Sequence, residues 1–178
     1  VDIGILAPEV PDHRDAFPMR DEEIRRAAAD RLTALMPAAI LLAHPAQSQP
    51  LLREMLAHEA DPARRLDAAL ILGMMGCPDA GPLLADAVRA TPWDAGWDYR
   101  GMGQFGPCMS RLDATILALA CTGAPGAAAV IAQKVRELPD DPCFSHCRVA
   151  GIAGALRKEA GLAQAIAELL RRPGMQGH

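Results

Sequence analysis

The chain has 178 residues, with 18 lysines and arginines against 22 aspartates and glutamates for a formal net charge of −4. That is the length of one ordinary domain able to bury a core, and a pI near 5.7 with interspersed charges offers no basic stripe for a nucleic-acid backbone. Thirty-five alanines, no asparagine and 3% aromatic residues are a helix-rich composition, and no apolar run reaches the roughly 18 residues a membrane span needs, so a soluble all-α chain is expected.

Residues 1–20 carry Pro8, Pro11 and Pro18 among mixed charges without a helical period and read as an extended lead-in or linker. The alternation of Val1, Ile3 and Ile5 also fits a short strand on a neighbouring domain. The opening at Val1 and the ending Arg172-Pro173-Gly174-Met175-Gln176-Gly177-His178 look like a piece processed or excised from something longer. Five cysteines (Cys77, Cys108, Cys121, Cys143, Cys147) are an odd number, and two fall on apolar helical positions. A reducing, cytoplasmic setting therefore fits better than a disulfide framework.

From Asp21 the pattern predicts helices of about 11 to 16 residues separated by Gly/Pro turns. Pro37 falls inside the first of them and is expected to kink it. The clearest unit begins at Asp61-Pro62, where the aspartate accepts from the first turn and proline suits the first helical position. Gly76-Cys77-Pro78-Asp79 ends that helix and starts the next. Sliding this unit back by 32 residues sets Pro82-Leu83-Leu84 on Pro50-Leu51-Leu52, and sliding it forward by 47 sets Gly76, Pro78, Ala80 and Val88 on Gly123, Pro125, Ala127 and Val135. A further 35 carries Ile131-Ala132 to Ile166-Ala167. Four units follow, at roughly 21–59, 61–90, 108–138 and 144–171. Two-helix units of this kind cannot cover their own apolar stripes and stack to share a core. Arg65-Leu66-Asp67 and Arg111-Leu112-Asp113 recur in two units, which reads as an inter-repeat ladder rather than a catalytic pair.

The run RLDAALILGMMGCPDAGPLLADAV, from Arg65 to Val88, resembles the short HEAT repeat of phycobilisome lyases and many bacterial proteins, over about residues 38–171. The resemblance implies a right-handed α-solenoid and says nothing specific about function.

The step of 47 against 32 exposes an insertion at about 91–107 that holds Trp93, Trp97, Tyr99 and Phe105 together with Arg100 and Gln104. Long structured loops in compact domains tend to be functional, and Trp, Tyr and Arg are the residues that anchor interfaces. The alternative is that the aromatics fold back to cap the stack where two pairs are splayed. Gly101-Met102-Gly103-Gln104-Phe105-Gly106 spells G-x-G-x-x-G, but no strand precedes it and Gly126 stands where an acidic residue is needed. Tight turns are the better reading, with the free N–H groups near Cys108 to Ser110 able to hold an anion.

The segments GWDYRGMGQFGPCMSRLDATILALACTGAPGA, FSHCRVAGIAGAL and RRPGMQGH, over about residues 95–178, are similar to the C-terminal helical region of bacterial FAD-dependent oxidoreductases with HEAT-like repeats. This implies an accessory domain whose flavin-binding part lies upstream. None of that family's dinucleotide motifs maps onto this chain.

Cys143, His146 and Cys147 place three soft ligands within five residues, yet the Cys-x-x-Cys spacing with a partner pair elsewhere is missing. Ser145 reads instead as a helix cap with His146 and Cys147 in the first turn. HEAT-repeat deoxyhypusine hydroxylases, which resemble this fold, bind di-iron through several His-Glu pairs. Here only His58-Glu59 exists, and His44 is followed by Pro45. Ser110 follows Met109 rather than a nucleophile elbow, and Cys108 has no nearby histidine in sequence.

The sequence therefore reads as a lead-in (1–20) and an all-α solenoid of about four HEAT-like helix pairs (21–178), serving as a protein-binding or assembly module. Trp93, Trp97, Tyr99, Arg100, Gln104, Phe105 and His146 form its binding set, with no catalytic residue assigned and no cofactor in this chain, FAD belonging upstream. The expected partner is another domain of the same polypeptide, a second protein or a second copy, with neither nucleic acid nor membrane. The rival is a ligand- or metal-binding enzyme domain using the 93–108 loop and the Cys143/His146/Cys147 cluster.

Overall fold

A computed structural model describes residues 20–29, 31–94 and 110–177, and among them every regular element is helical. Residues 1–19 of the predicted lead-in and the aromatic run from Trp97 to Phe105 lie outside the described residues.

Helix α1 (Asp21–Ala29) opens on Asp21, Glu22 and Glu23, carboxylates that suit a helix N-terminus. Glu23 reaches back to accept from the backbone N–H of Arg20 at 3.0 Å, one half of a capping box. After a break at Arg31–Ala34 come α2 (Leu35–Ala43) and α3 (Pro45–His58). The expected kink at Pro37 is absent. The chain breaks before Leu35, so Pro37 is the third residue of α2, where a backbone N–H has no partner within the helix and its loss costs little. The first unit is thus three helices rather than a pair. Ser48, fully buried, sets its hydroxyl 2.7 Å from the Leu41 carbonyl and 2.9 Å from that of His44, joining α2 to α3.

Helix α4 (Pro62–Met74) starts as its sequence predicts, with Asp61 accepting from the Ala63 N–H at 2.9 Å and Pro62 in the first position. Gly76, at φ +78°, turns the chain out. A 3₁₀ turn (Pro78–Ala80) leads into α5 (Gly81–Ala90). Ser110 caps α6 (Arg111–Cys121) by accepting from the Asp113 N–H at 2.9 Å, and α7 (Ala127–Arg136), α8 (Phe144–Arg157) and α9 (Ala160–Leu170) follow, closed by a 3₁₀ turn at Pro173–Gly177.

The helices pack in two rows, α4 on α6 on α8 and α5 on α7 on α9, while α1, α2 and α3 pack together and adjoin α4. Helices α4 and α6 lie at the centre, and Ala68–Gly73 and Thr115–Ala120 are buried without interruption. Small residues let them meet. A β-carbon on Gly73 would lie 2.7 Å from Leu84 Cδ1 and 2.9 Å from the Ala118 carbonyl oxygen. At the exposed edge Arg111 of α6 donates to Asp67 of α4 at 2.7 Å, one rung of the expected ladder. Its neighbour Asp113 takes no part, being wholly buried and turned toward α8. At the far end Arg172 donates to the carbonyls of Arg136, Leu138 and Pro139, closing the C-terminus of α7.

Gly73→Ala should lower unfolding free energy by about 1–2 kcal/mol, because the clash with a backbone carbonyl outweighs the helix-propensity gain of about 1 kcal/mol. Gly151 lies exposed in α8, and a β-carbon added there would meet nothing within 4 Å, so Gly151→Ala should raise stability by about 0.5–1 kcal/mol. Urea denaturation of the two variants checks both signs.

Candidate functional site

Just after α5, Trp93 and Asp94 contact α7 and α8. Trp93 is half-buried against the core; its indole N–H donates to the Lys134 carbonyl of α7 at 3.0 Å. Its ring lies 4.4 Å from the imidazole of His146, tilted by 50°. His146 is the third residue of α8 and 3% exposed; Asp113, the third residue of α6, is 0% exposed. Imidazole Nδ1 lies 2.8 Å from Asp113 Oδ1, and Nε2 lies 3.1 Å from the Asp94 carbonyl oxygen and 3.7 Å from its carboxylate.

These distances suit a doubly protonated ring. A carbonyl only accepts, so Nε2 carries a proton; a carboxylate facing Nδ1 calls for another, and only the imidazolium supplies both. Burial works against the charged form, but the hydrogen bond to Asp113, the Asp94 carbonyl and the two nearby carboxylates together raise the His146 pKa above its ordinary 6.5. The indole face adds a cation–π contact. The position near the N-terminus of α8 opposes a cation by only about 0.3–1 kcal/mol. Asp113 has the reverse advantage at the start of α6, yet its second oxygen, Oδ2, is buried with no hydrogen-bond partner among the described residues.

A general base or acid needs a ring nitrogen facing a reacting group. Both nitrogens of His146 are engaged, Nδ1 by Asp113 and Nε2 by the Asp94 carbonyl. Two clefts elsewhere, one of about 360 Å³ by Pro78, Pro82, Leu119, Pro125 and Val130 and one of about 420 Å³ between α1 and α3, do not include these residues.

Of the binding set read from sequence, the structure brings Trp93 and His146 together; Trp97, Tyr99, Arg100, Gln104 and Phe105 lie outside the described residues. Cys143, His146 and Cys147 are not gathered as ligands. The Cys143 sulfur lies 3.4 Å from the Ser145 hydroxyl, and the Cys147 thiol lies 3.6 Å from the Met175 sulfur. No group of three metal-ligating side chains of the His, Cys, Asp and Glu types occurs among the described residues. Ser145 is not the cap of α8 either: Cys143 occupies that position, and Ser145 is buried in the first turn. Burial pushes the thiols of Cys77 and Cys121 above their usual range, which lowers the thiolate fraction of each.

Sequence reasoning missed Asp113, Asp94 and Lys134. Asp113 shares its local pattern with Asp67, and only burial separates the exposed rung from the histidine partner. The signal available was Ser110-Arg111-Leu112-Asp113, the S-x-x-D form that starts a helix with a carboxylate three residues in. The comparisons with family models, curated proteins and solved structures give no match.

His146→Ala should cost about 3–5 kcal/mol at pH 6, because it strands the buried Asp113 carboxylate. The sign with pH follows from the raised value: the histidine's contribution is complete below about 6.5 and is lost as pH rises through the higher folded-state value. Urea unfolding at about pH 6 and about pH 9 should show the wild type losing stability relative to His146→Ala as pH rises.

Proposed function

We propose that the chain is a protein-binding module, a right-handed α-solenoid of HEAT-like helix pairs that presents the aromatic insertion to a partner. The observation that carries this reading is the anchored root of the insertion: Trp93 and Asp94 are tied to α6, α7 and α8 through His146, Asp113 and the Lys134 carbonyl. A recognition segment gains affinity when its ordering cost is met before binding. The rows α4–α6–α8 and α5–α7–α9 support the solenoid reading. In this reading Trp97, Tyr99 and Phe105 supply rigid apolar contact, Arg100 pairs with a carboxylate or phosphate of the partner, and Gln104 adds a polar contact. The partner implied by the sequence resemblance is the flavin-binding part of an FAD-dependent oxidoreductase, in the same polypeptide or as a separate subunit, with FAD held there and none here. Against a catalytic or ligand-binding use of His146 stand its two engaged nitrogens.

Trp97→Ala combined with Arg100→Ala tests this. Native mass spectrometry should find the chain without a bound small molecule. The double variant should bind the flavin-binding domain, or its own second copy, at least about 30-fold more weakly, the loss of about 2 kcal/mol that one interface anchor carries. Its urea midpoint should stay unchanged. Association unaffected by the double variant, or an added mass of flavin, metal or metabolite that the variant loses, would overturn the module in favour of a ligand-binding domain.

A further inference from the structure

The rows of helices are closed at one end and open at the other. At the first end α1 packs on α2 and α3. It buries Ile24, Ala27 and Ala28 and turns Asp21, Glu22, Arg25 and Arg26 to solvent, the polar outer face that ends a stack of repeats. At the other end α8 is last in its row, and it exposes Arg148, Gly151, Ile152, Ala155 and Leu156. These positions, three and four apart, form one stripe along the helix, with Ile152 37% and Leu156 50% exposed. The earlier helices of the row show what such a position meets. Gly73, Leu119 and Ile152 stand six residues past Asp67, Asp113 and His146. Gly73 of α4 lies against the Ala118 carbonyl of α6, and Ala118 and Leu119 of α6 have no exposed surface. On α8 the matching Gly151 and Ile152 are exposed, because among the described residues no further helix follows in the row.

We propose that this face of α8 docks a second copy of the chain, α8 against α8 about a two-fold axis. Stacked repeats bury such a face on the next one, and this stripe is complementary to itself. Two copies crossing antiparallel, centred between Ala153 and Gly154, set Gly151 opposite Leu156 and Ile152 opposite Ala155, small against large. A β-carbon on Gly151 would meet nothing within 4 Å, so the space opposite the second copy's Leu156 is open. The same register sets Arg148 of each copy opposite Glu159 of the other. Arg148 is exposed and in no ion pair among the described residues. Glu159 is held by Arg157 through Oε1, and its Oε2 can accept from a second cation. A head-to-tail assembly would instead lay Ile152 and Leu156 on the charged outer face of α1, which desolvates charges without pairing them. The proposal does not rest on the module reading, since it uses neither Trp97 nor Arg100. With self-association assigned to α8, the flavin-binding domain is the partner by which the module is judged.

Two crossing helices lie at the low end of interface size, so the dimer should form with a dissociation constant of about 10–100 µM. Sedimentation velocity of the full chain from about 1 µM to about 1 mM should show monomer passing to dimer and no larger species. Ile152→Asp with Leu156→Asp should weaken association at least about 30-fold with circular dichroism unchanged, because each new charge is buried twice about the axis. Arg148→Glu alone should weaken it about 3–10-fold by setting like charges together, and Arg148→Glu with Glu159→Arg should restore it. A monomer throughout the range, as when another part of the chain covers the face, overturns the proposal. So does a dimer indifferent to the Ile152 and Leu156 pair, growth past the dimer, or a charge exchange that restores nothing. Should the double aspartate variant fail to fold, the exchange of Arg148 and Glu159 decides alone. Trp97→Ala with Arg100→Ala should leave this dimer intact; a dimer that it dissociates is held by the insertion, which overturns the α8 face and leaves the module standing.

Discussion

At the centre of the described structure a carboxylate with no exposed surface faces an imidazole 2.8 Å away. Leaving Asp113 there alone would cost several kcal/mol in lost hydration, and the start of α6 and the imidazolium of His146 are what offset it. The contact draws α8 onto α6 at one place, orients the ring so that Nε2 points at Asp94, and sets the imidazole under the indole of Trp93. Because breaking such a pair costs far more than the pair gains over an apolar substitute, its effect is chiefly on arrangement: α6, α7 and α8 meet the outgoing chain in one geometry.

That geometry depends in turn on how closely the helices approach. Gly73 lies against the Ala118 carbonyl, Gly81 against the Ala124 side chain, and Gly154 against Ile166, so α4, α5 and α8 each present a residue without a side chain where a neighbour arrives. Alanine fills most of the remaining contact at little cost in side-chain entropy. The polar links between helices lie largely at the rim, as in Arg111–Asp67 and Arg136–Glu168, and exposed pairs of this kind contribute at most about 1 kcal/mol each. The two rows are therefore held largely by close apolar packing, with Asp113–His146 a buried polar pair between α6 and α8.

The chemistry at the root of the insertion has a functional bearing. A histidine paired with a buried aspartate is often the start of a catalytic arrangement, yet such an arrangement leaves the second ring nitrogen toward a substrate or nucleophile. Here the main chain at Asp94 occupies it. What the site can do is hold Trp93 and Asp94.

The sequence by itself determined the helices and most of their ends. The Asp61-Pro62 start and the Gly76 turn are local matters, each settled by which backbone groups a nearby side chain or a positive φ can satisfy. Local reasoning failed where two local outcomes were both acceptable. Proline at position 37 fits a kink inside a long helix or the first turn of a new one, and the break before Leu35 made it the latter. Only the tertiary structure decided the roles of Asp67 and Asp113, which share one short pattern: Asp67 faces a rim where Arg111 reaches it, whereas Asp113 is wholly buried against His146. The same burial took His146 out of a three-residue run of apparent metal ligands and gave it to a carboxylate 33 residues away. Spacing along the chain carries no information about which side chains share a low-dielectric site, and there the energy of a charge depends on who its neighbours are.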